Sequence, residues 1–243
     1  MSESVDRDYV LGTHDQEIAR LGLQHRVWRS RVIDAWARAG IGAGQTVIDV
    51  GAGPGYASVD LAELVGSTGR VVAIERSQRF LATLASEKST RGLVQLQAHE
   101  CDLDDLERLP VTGADAAWCR WVLAFVRDPR RVLTAMVAAL RPGGVLVLHE
   151  YFDYATWRLL PQVSTFEAFV EVVMTTWRSE GGEPDIGLRL PTWLLEADVE
   201  VTSVVPYIDV TRPGEPLWEW PMAFFQTGVD RLVHLRAIDA QGA

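Results

Sequence analysis

Cysteine is scarce: Cys101 and Cys119 are the 2 in 243 residues, far apart in sequence and without the paired spacing of metal ligands. Neither a disulfide framework nor a metal site is expected from them, and free thiols are the plain reading. No block of lysines or arginines occurs, since 33 acidic residues interleave with 23 basic ones for a net charge of -10. A nucleic-acid backbone needs a concentrated positive footprint, so a nucleic-acid partner is not expected. Nor does any segment reach the roughly 18 uncharged apolar residues of a membrane span. The opening "MSESVDRDYV" is acidic where a signal peptide would carry a basic start, so a cytoplasmic protein is expected. Internal repeats and low-complexity tracts are missing too. What is present is 48% hydrophobic residues, enough to fill a sizeable core in one large domain or a domain with an insertion.

From residue 46 to 150, short β-branched runs alternate with helical patterns, the rhythm of βαβ units that build a parallel sheet. Strands are expected at 46–51, 70–75, 93–100, 114–119 and 144–150. The helix "YASVDLAELVG" should stop at Gly66, Ser77 should cap the next, and the one opening on Asp128 and Pro129 should run to Gly143. Residues 15–39 read as one or two amphipathic helices, with Leu21, Val27, Trp28, Val32, Ile33 and Trp36 supplying apolar surface. Residues 156–178 place Phe166, Phe169, Val170, Val173, Met174 and Trp177 on one helical face, which core packing explains more simply than a substrate pocket. A short helix at "PTWLLEAD", a strand at 199–210 and a helix at 217–236 complete the pattern.

Within "VIDVGAGPGYASVDLAELVG", Gly51, Gly53 and Gly55 follow a strand and precede a helix, the layout in which a ligand sits outside the carboxyl end of a parallel sheet. A dinucleotide site would show GxGxxG, with its pyrophosphate on the helix amino terminus. Here the spacing is GxGxG with Asp49 ahead of it, and an aspartate sits poorly beside a pyrophosphate but well beside an ammonium group. Glu75, closing the second strand, is placed to accept both ribose hydroxyls of a nucleoside. A nucleoside with a cationic, non-phosphate tail describes S-adenosylmethionine.

The runs "VIDVGAGPGY", "VVAIERS", "CDLDDL", "CRWVLAFVRDP" and "LRPGGVLVLHEY", in this order, resemble class I S-adenosylmethionine-dependent methyltransferases over about residues 45–151. The resemblance implies an α/β fold, a Rossmann-like doubly wound, mostly parallel sheet with a helical cap and lid. It implies S-adenosylmethionine as cofactor, with Asp49, Gly51 and Gly53 around its methionyl part, Glu75 on the ribose, and Asp102 with Leu103 at the adenine. Arg76 and Arg120 would line the same cleft. Less specifically, "LGLQHRVW" is similar to the family's amino-terminal cap helix and "GGEPDIGLRLP" to the segment after its inserted lid. The expected organisation is a cap at 1–44, a cofactor-binding core at 45–155, lid helices at 156–198, and a strand and helix completing the core at 199–243.

Methyl transfer from a sulfonium is an in-line displacement, so the protein's share is largely positioning and desolvation. If the acceptor is a protonated hydroxyl, His149 at the end of the fifth strand is the candidate general base, with Glu150, Tyr151 and Asp153 as neighbours that could share the role. His14 and His25, in or near the cap, are weaker candidates. Tyr9, Trp28, Tyr151, Trp157 and Trp177 could line an apolar pocket for a small-molecule acceptor, though core packing is the simpler reading of each. The chain ends in "RLVHLRAIDAQGA" without a β-branched run where the family adds a seventh strand. An exposed sheet edge then needs covering, and a homodimer is one way to cover it. Two other functions are weighed: an NAD(P)-dependent oxidoreductase, opposed by the glycine spacing and the "LRPGG" turn, and a cofactor-binding protein without turnover.

Overall fold

In the computed structural model, which describes residues 15–234, β1 (Thr46–Val50) shields Val47, Ile48 and Val50 completely from solvent. β2 (Arg70–Glu75) does the same with Val71, Val72, Ala73 and Ile74. Burial on both faces is what a central parallel strand requires, and each such Val or Ile contributes roughly 1.5–3 kcal/mol. With β3 (Leu96–Glu100), β4 (Ala114–Arg120) and β5 (Leu140–His149) they form a sheet in the order β3-β2-β1-β4-β5. β1 runs parallel to β2 and β4, and β2 parallel to β3. The chain order reverses between β1 and β4, the switch point beyond whose carboxyl ends doubly wound sheets bind ligands. Val50 pairs with both Ile74 and Cys119, so these three strands end level with one another.

The helices follow their punctuation. α1 (Asp15–Arg38) is one continuous helix, and its Trp28 and Trp36 meet Trp121 and Trp118 edge-on at 5.5 and 5.3 Å. α2 (Tyr56–Val65) stops at Gly66, whose N–H donates to the Ala62 carbonyl. α3 (Gln78–Arg91) is capped by the Ser77 hydroxyl, which accepts from the Phe80 N–H at 3.3 Å. α4 (Pro129–Ala139) opens on the expected proline but ends ahead of Gly143, because β5 has already begun at Leu140. Pro142 explains the early exit: it has no amide to donate and disfavours helical geometry at Arg141.

The chain divides into two compact units, residues 15–122 with 131–148 and residues 123–130 with 149–234. The first holds α1 to α3 and nearly the whole sheet. The second contains α5 (Ser164–Ser179), α6 (Leu190–Glu196) and α7 (Pro216–His234). The expected helix at 156–178 starts only at Ser164, since Pro161 blocks a helical path through the residues before it. Its stripe is partly an inner face: Phe166, Val170, Val173 and Trp177 are buried, and the Trp177 Nε1–H donates to the Ala124 carbonyl at 3.0 Å.

The strand expected at 199–210 does not form. The segment is neither helix nor strand, and Val204, Val205, Ile208 and Val210 are exposed. β-branched residues favour a strand only when a ladder partner is present, and Pro206 removes one of the donors such a ladder would use. Among the described residues the sheet has neither a sixth nor a seventh strand. None of the described helices is long and apolar enough to cross a membrane.

Candidate functional site

The carboxyl ends of β1 to β4 and the loops after them carry the charged cofactor candidates Asp49, Glu75, Arg76, Asp102 and Arg120, all in the first unit. Asp49 lies next to last in β1 and is 2% exposed. Its Oδ2 accepts from the Ser58 hydroxyl at 2.6 Å, a residue that the first turn of α2 turns back toward the strand. Burial pushes the Asp49 carboxyl up to about 6, against the Ser58 hydrogen bond and the Arg120 charge, which pull it down. A carboxylate kept in so dry a place is stabilised by any cation brought to it.

The glycine loop is packed below and bare above. A side chain at Gly51 would come within 2.3 Å of Val122 and one at Gly55 within 2.2 Å of Leu84, so the loop lies directly on its neighbours. Gly53, at φ 56°, would meet nothing within 4 Å, which leaves a face that a ligand can approach. The Gly53 N–H donates to Glu75 Oε2 at 2.8 Å, and Glu75 Oε1 accepts from the amides of Arg76 and Ser77 at 2.9 and 2.8 Å. Burial raises the Glu75 carboxyl above its ordinary range even though these three amides favour its charged form. A carboxylate offers about four acceptor directions. Glu75 was expected to accept two ribose hydroxyls; with three directions engaged, it keeps one while it also pins the glycine loop.

Beyond β3, Asp102 Oδ1 accepts from the Asp104 N–H at 2.9 Å and shapes the loop that buries Leu103. Arg76 Nη1 lies 3.9 Å from Asp102 Oδ2, a half-exposed pair that links the tips of β2 and β3. Arg120 ends β4, and its Nη2 lies 3.3 Å from His25 Nδ1 on α1. The donor set suits a nucleoside with a zwitterionic tail: a buried acid, a second acid with one free direction, an apolar Leu103 beside Asp102, and a guanidinium.

Residues 41–178 match a family model described as a methyltransferase domain. The chain belongs to this methyltransferase family. A protein of Streptomyces fradiae named "Uncharacterized 37.1 kDa protein in transposon TN4556" is 32% identical over 197 residues, which span 78% of this chain and 52% of that protein. The ubiquinone/menaquinone biosynthesis C-methyltransferase UbiE of Cellvibrio japonicus is 29% identical over 149 residues, 56% of this chain and 58% of its own length. The chain thus spans a little over half the length of these curated relatives. The crystal structure of a SAM dependent methyltransferase from Aquifex aeolicus shares the fold, with a TM-score of 0.53 at 17% identity over 72% of this chain and 81% of that one. The doubly wound fold and the family are those that the motifs resemble.

Other candidates in this methyltransferase-family chain fall elsewhere. His149 closes β5 and is grouped with the second unit, its ring 6.1 Å from that of Tyr207. Glu150 Oε1 accepts from the Leu123 N–H at 2.8 Å, and Asp153 stands at φ 47° ahead of a short turn, so both have local structural work. Trp28 is a core residue of the first unit, 5% exposed. Tyr151, Trp157 and Trp177 surround Tyr154 at 5.6, 5.7 and 5.8 Å in an aromatic cluster of the second unit. Tyr9 and His14 lie outside the described residues.

Four participants escaped the sequence reading: Arg29, Tyr56, Ser58 and Asp60. His25 Nε2 lies 3.1 Å from Asp60 Oδ2, and Arg29 grips the same carboxylate at 2.8 and 3.1 Å. Tyr56 stacks on His25 with centroids 5.8 Å apart, and its hydroxyl donates to the Ile18 carbonyl. The available signal was polarity out of place, since Ser58 and Asp60 interrupt the apolar run of α2.

Proposed function

We propose that the chain transfers the methyl group of S-adenosylmethionine to a small-molecule acceptor. When bound, that cofactor supplies an activated methyl on a sulfonium. Asp49 receives its ammonium group, Gly51 and Gly53 allow its tail to lie on the backbone, and Glu75 takes a ribose hydroxyl. Arg76, Asp102 and Leu103 flank the base, and Arg120 lines the cleft near Asp49. The observation that carries this reading is the Glu75 carboxylate, shared among the Gly53, Arg76 and Ser77 amides at the head of the glycine loop. Membership of the methyltransferase family supports it.

The acceptor reading is a planar, largely apolar molecule, supported by the aromatic cluster around Tyr154. Two curated relatives are named C-methyltransferases of quinone biosynthesis, which favours an electron-rich ring carbon among the acceptors to try. For a protonated acceptor, His149 is the base of choice by residue type and by its place at the end of β5. Residues 1–44 are the cap and 156–198 the lid helices of this reading, and their work is to exclude water. A homodimer fits the β5 edge and the exposed apolar residues of 199–210, and light scattering that finds only monomer over a broad concentration range would remove it. Free thiols at Cys101 and Cys119 agree with a reducing, cytoplasmic setting.

The test is formation of S-adenosylhomocysteine with a panel of phenols, quinols, amines and acids, beside calorimetry with S-adenosylmethionine and with NAD. Tight binding of the sulfonium nucleoside and turnover on at least one acceptor are expected. Binding of NAD alone would overturn the reading, and cofactor binding without turnover on any acceptor would reduce it to a binding protein.

A further inference from the structure

His25 is 6% exposed on an otherwise amphipathic helix, and both of its ring nitrogens are engaged. The two partners fix its tautomer. A guanidinium only donates, so Nδ1, facing Arg120 Nη2, must present its lone pair; the proton then resides on Nε2 and is donated to Asp60. Burial lowers the His25 pKa from its ordinary value; the Asp60 hydrogen bond opposes this and the Arg120 charge adds to it, and the net shift is downward, in keeping with a neutral ring. Asp60 is anchored from the other side by Arg29, and Tyr56 stacks on the imidazole. The relay Arg29–Asp60–His25–Arg120 therefore joins α1, α2 and the end of β4. At its far end Arg120 follows Cys119, the β4 partner of Val50, so the guanidinium's residue ends the strand that runs beside Asp49, and its charge pulls the Asp49 carboxyl down.

We infer that His25 is a positioning residue for the amino-acid end of the cofactor: its Nδ1 lone pair holds the Arg120 guanidinium where it meets a carboxylate, beside the ammonium that Asp49 receives. The inference rests on the S-adenosylmethionine reading. The physical logic is charge pairing. An α-amino acid tail carries one cation and one anion a few bonds apart, and a site with only Asp49 would attract the first and repel the second. The Arg120 guanidinium already lies over the Trp121 ring, 5.2 Å from its centroid, and the hydrogen bond to an acceptor fixed on a helix adds a direction that orients its donors before the ligand arrives. The cap helix thereby takes part in choosing the cofactor.

The experiment compares S-adenosylhomocysteine, which has the amino-acid tail, with 5′-methylthioadenosine, which lacks it, by calorimetry on wild type and three variants. His25→Phe keeps the stacking on Tyr56 and removes both hydrogen bonds; it should weaken S-adenosylhomocysteine about 10-fold and leave methylthioadenosine within about 2-fold. His25→Asn, whose amide oxygen can stand in for Nδ1, should recover most of that loss. His25→Gln, which reaches the Nε2 position instead, should not. Nitrogen NMR of the wild-type ring should show the Nε2–H tautomer. Equal weakening of both nucleosides in His25→Phe would mean that His25 only seats the helix, and no weakening of either would end the inference outright. Wild type that binds neither nucleoside refutes the cofactor reading itself, and this inference falls with it.

Discussion

The first unit buries its apolar side chains as flat layers, the second as interlocked rings. In the first, Val47, Ile48, Val71, Val72 and Ile74 are fully enclosed, and large apolar side chains in the open are few: Ile33, Leu64 and Val94. In the second, Trp157, Phe166, Phe169 and Phe225 meet one another at 4.6 to 6.2 Å while Leu160, Leu188, Leu195, Val204, Ile208 and Val210 face solvent. The polar groups differ as well. The acids Asp49, Glu75 and Asp102 of the first unit stand at the carboxyl ends of successive strands, whereas Glu150 of the second ties its segment to the Leu123 amide, 27 positions away. Groups carried on the ends of regular strands are held more precisely than groups carried on loops, and the candidate cofactor residues are of the first kind.

Five substitutions would break or sharpen this contrast. Ile48→Ala, in the centre of β1, should cost about 4 kcal/mol in urea unfolding, because a parallel sheet cannot collapse around the void. Asp49→Asn should act in the opposite sense and depend on pH. The folded wild type binds a proton at about 6 where the unfolded chain binds it at 3.8, so charging Asp49 opposes folding as pH rises through that window. The variant should gain up to about 3 kcal/mol above pH 6, with the gain fading below pH 4, while its S-adenosylhomocysteine affinity drops. A gain that does not change with pH would show that the carboxylate is not dry.

Glu75→Ala should cost about 2 kcal/mol, since three amides lose their acceptor but a buried charge is also removed; calorimetry should find nucleoside binding abolished. Trp177→Phe in the second unit keeps a ring against Phe125 and loses the bond to Ala124, for about 1 kcal/mol by thermal unfolding. Val210→Ser should change stability by less than about 0.5 kcal/mol, because Val210 is 86% exposed. A large loss there would mean that another surface covers 199–210 in solution.

Where the residues themselves dictate the outcome, sequence and structure coincide. β1 and β2 lie where β-branched runs lie, and Ser77 and Gly66 bound their helices through hydrogen bonds that only nearby residues make. The cluster of Asp49, Glu75, Asp102 and Arg120 was legible because a parallel sheet delivers the ends of successive strands to one edge whatever happens elsewhere. Two kinds of feature were not. The segment 199–210 has the composition of a strand and forms none, since a strand needs a partner and composition cannot supply one.

The other kind is long-range side-chain pairing. Nothing in the local sequence says that His25 meets Asp60, 35 positions away, or Arg120, 95 away. Nor could it say that Glu75 turns its carboxylate onto the Gly53 amide, 22 positions before it. By itself, then, the sequence determined the sheet, the glycine loop and the family, because periodicity, caps and the GxGxG spacing are local. Only the tertiary structure decided how the acids are held and that α1 is joined to Arg120, because hydrogen bonds between distant segments exist only once the backbone has brought them within about 3 Å.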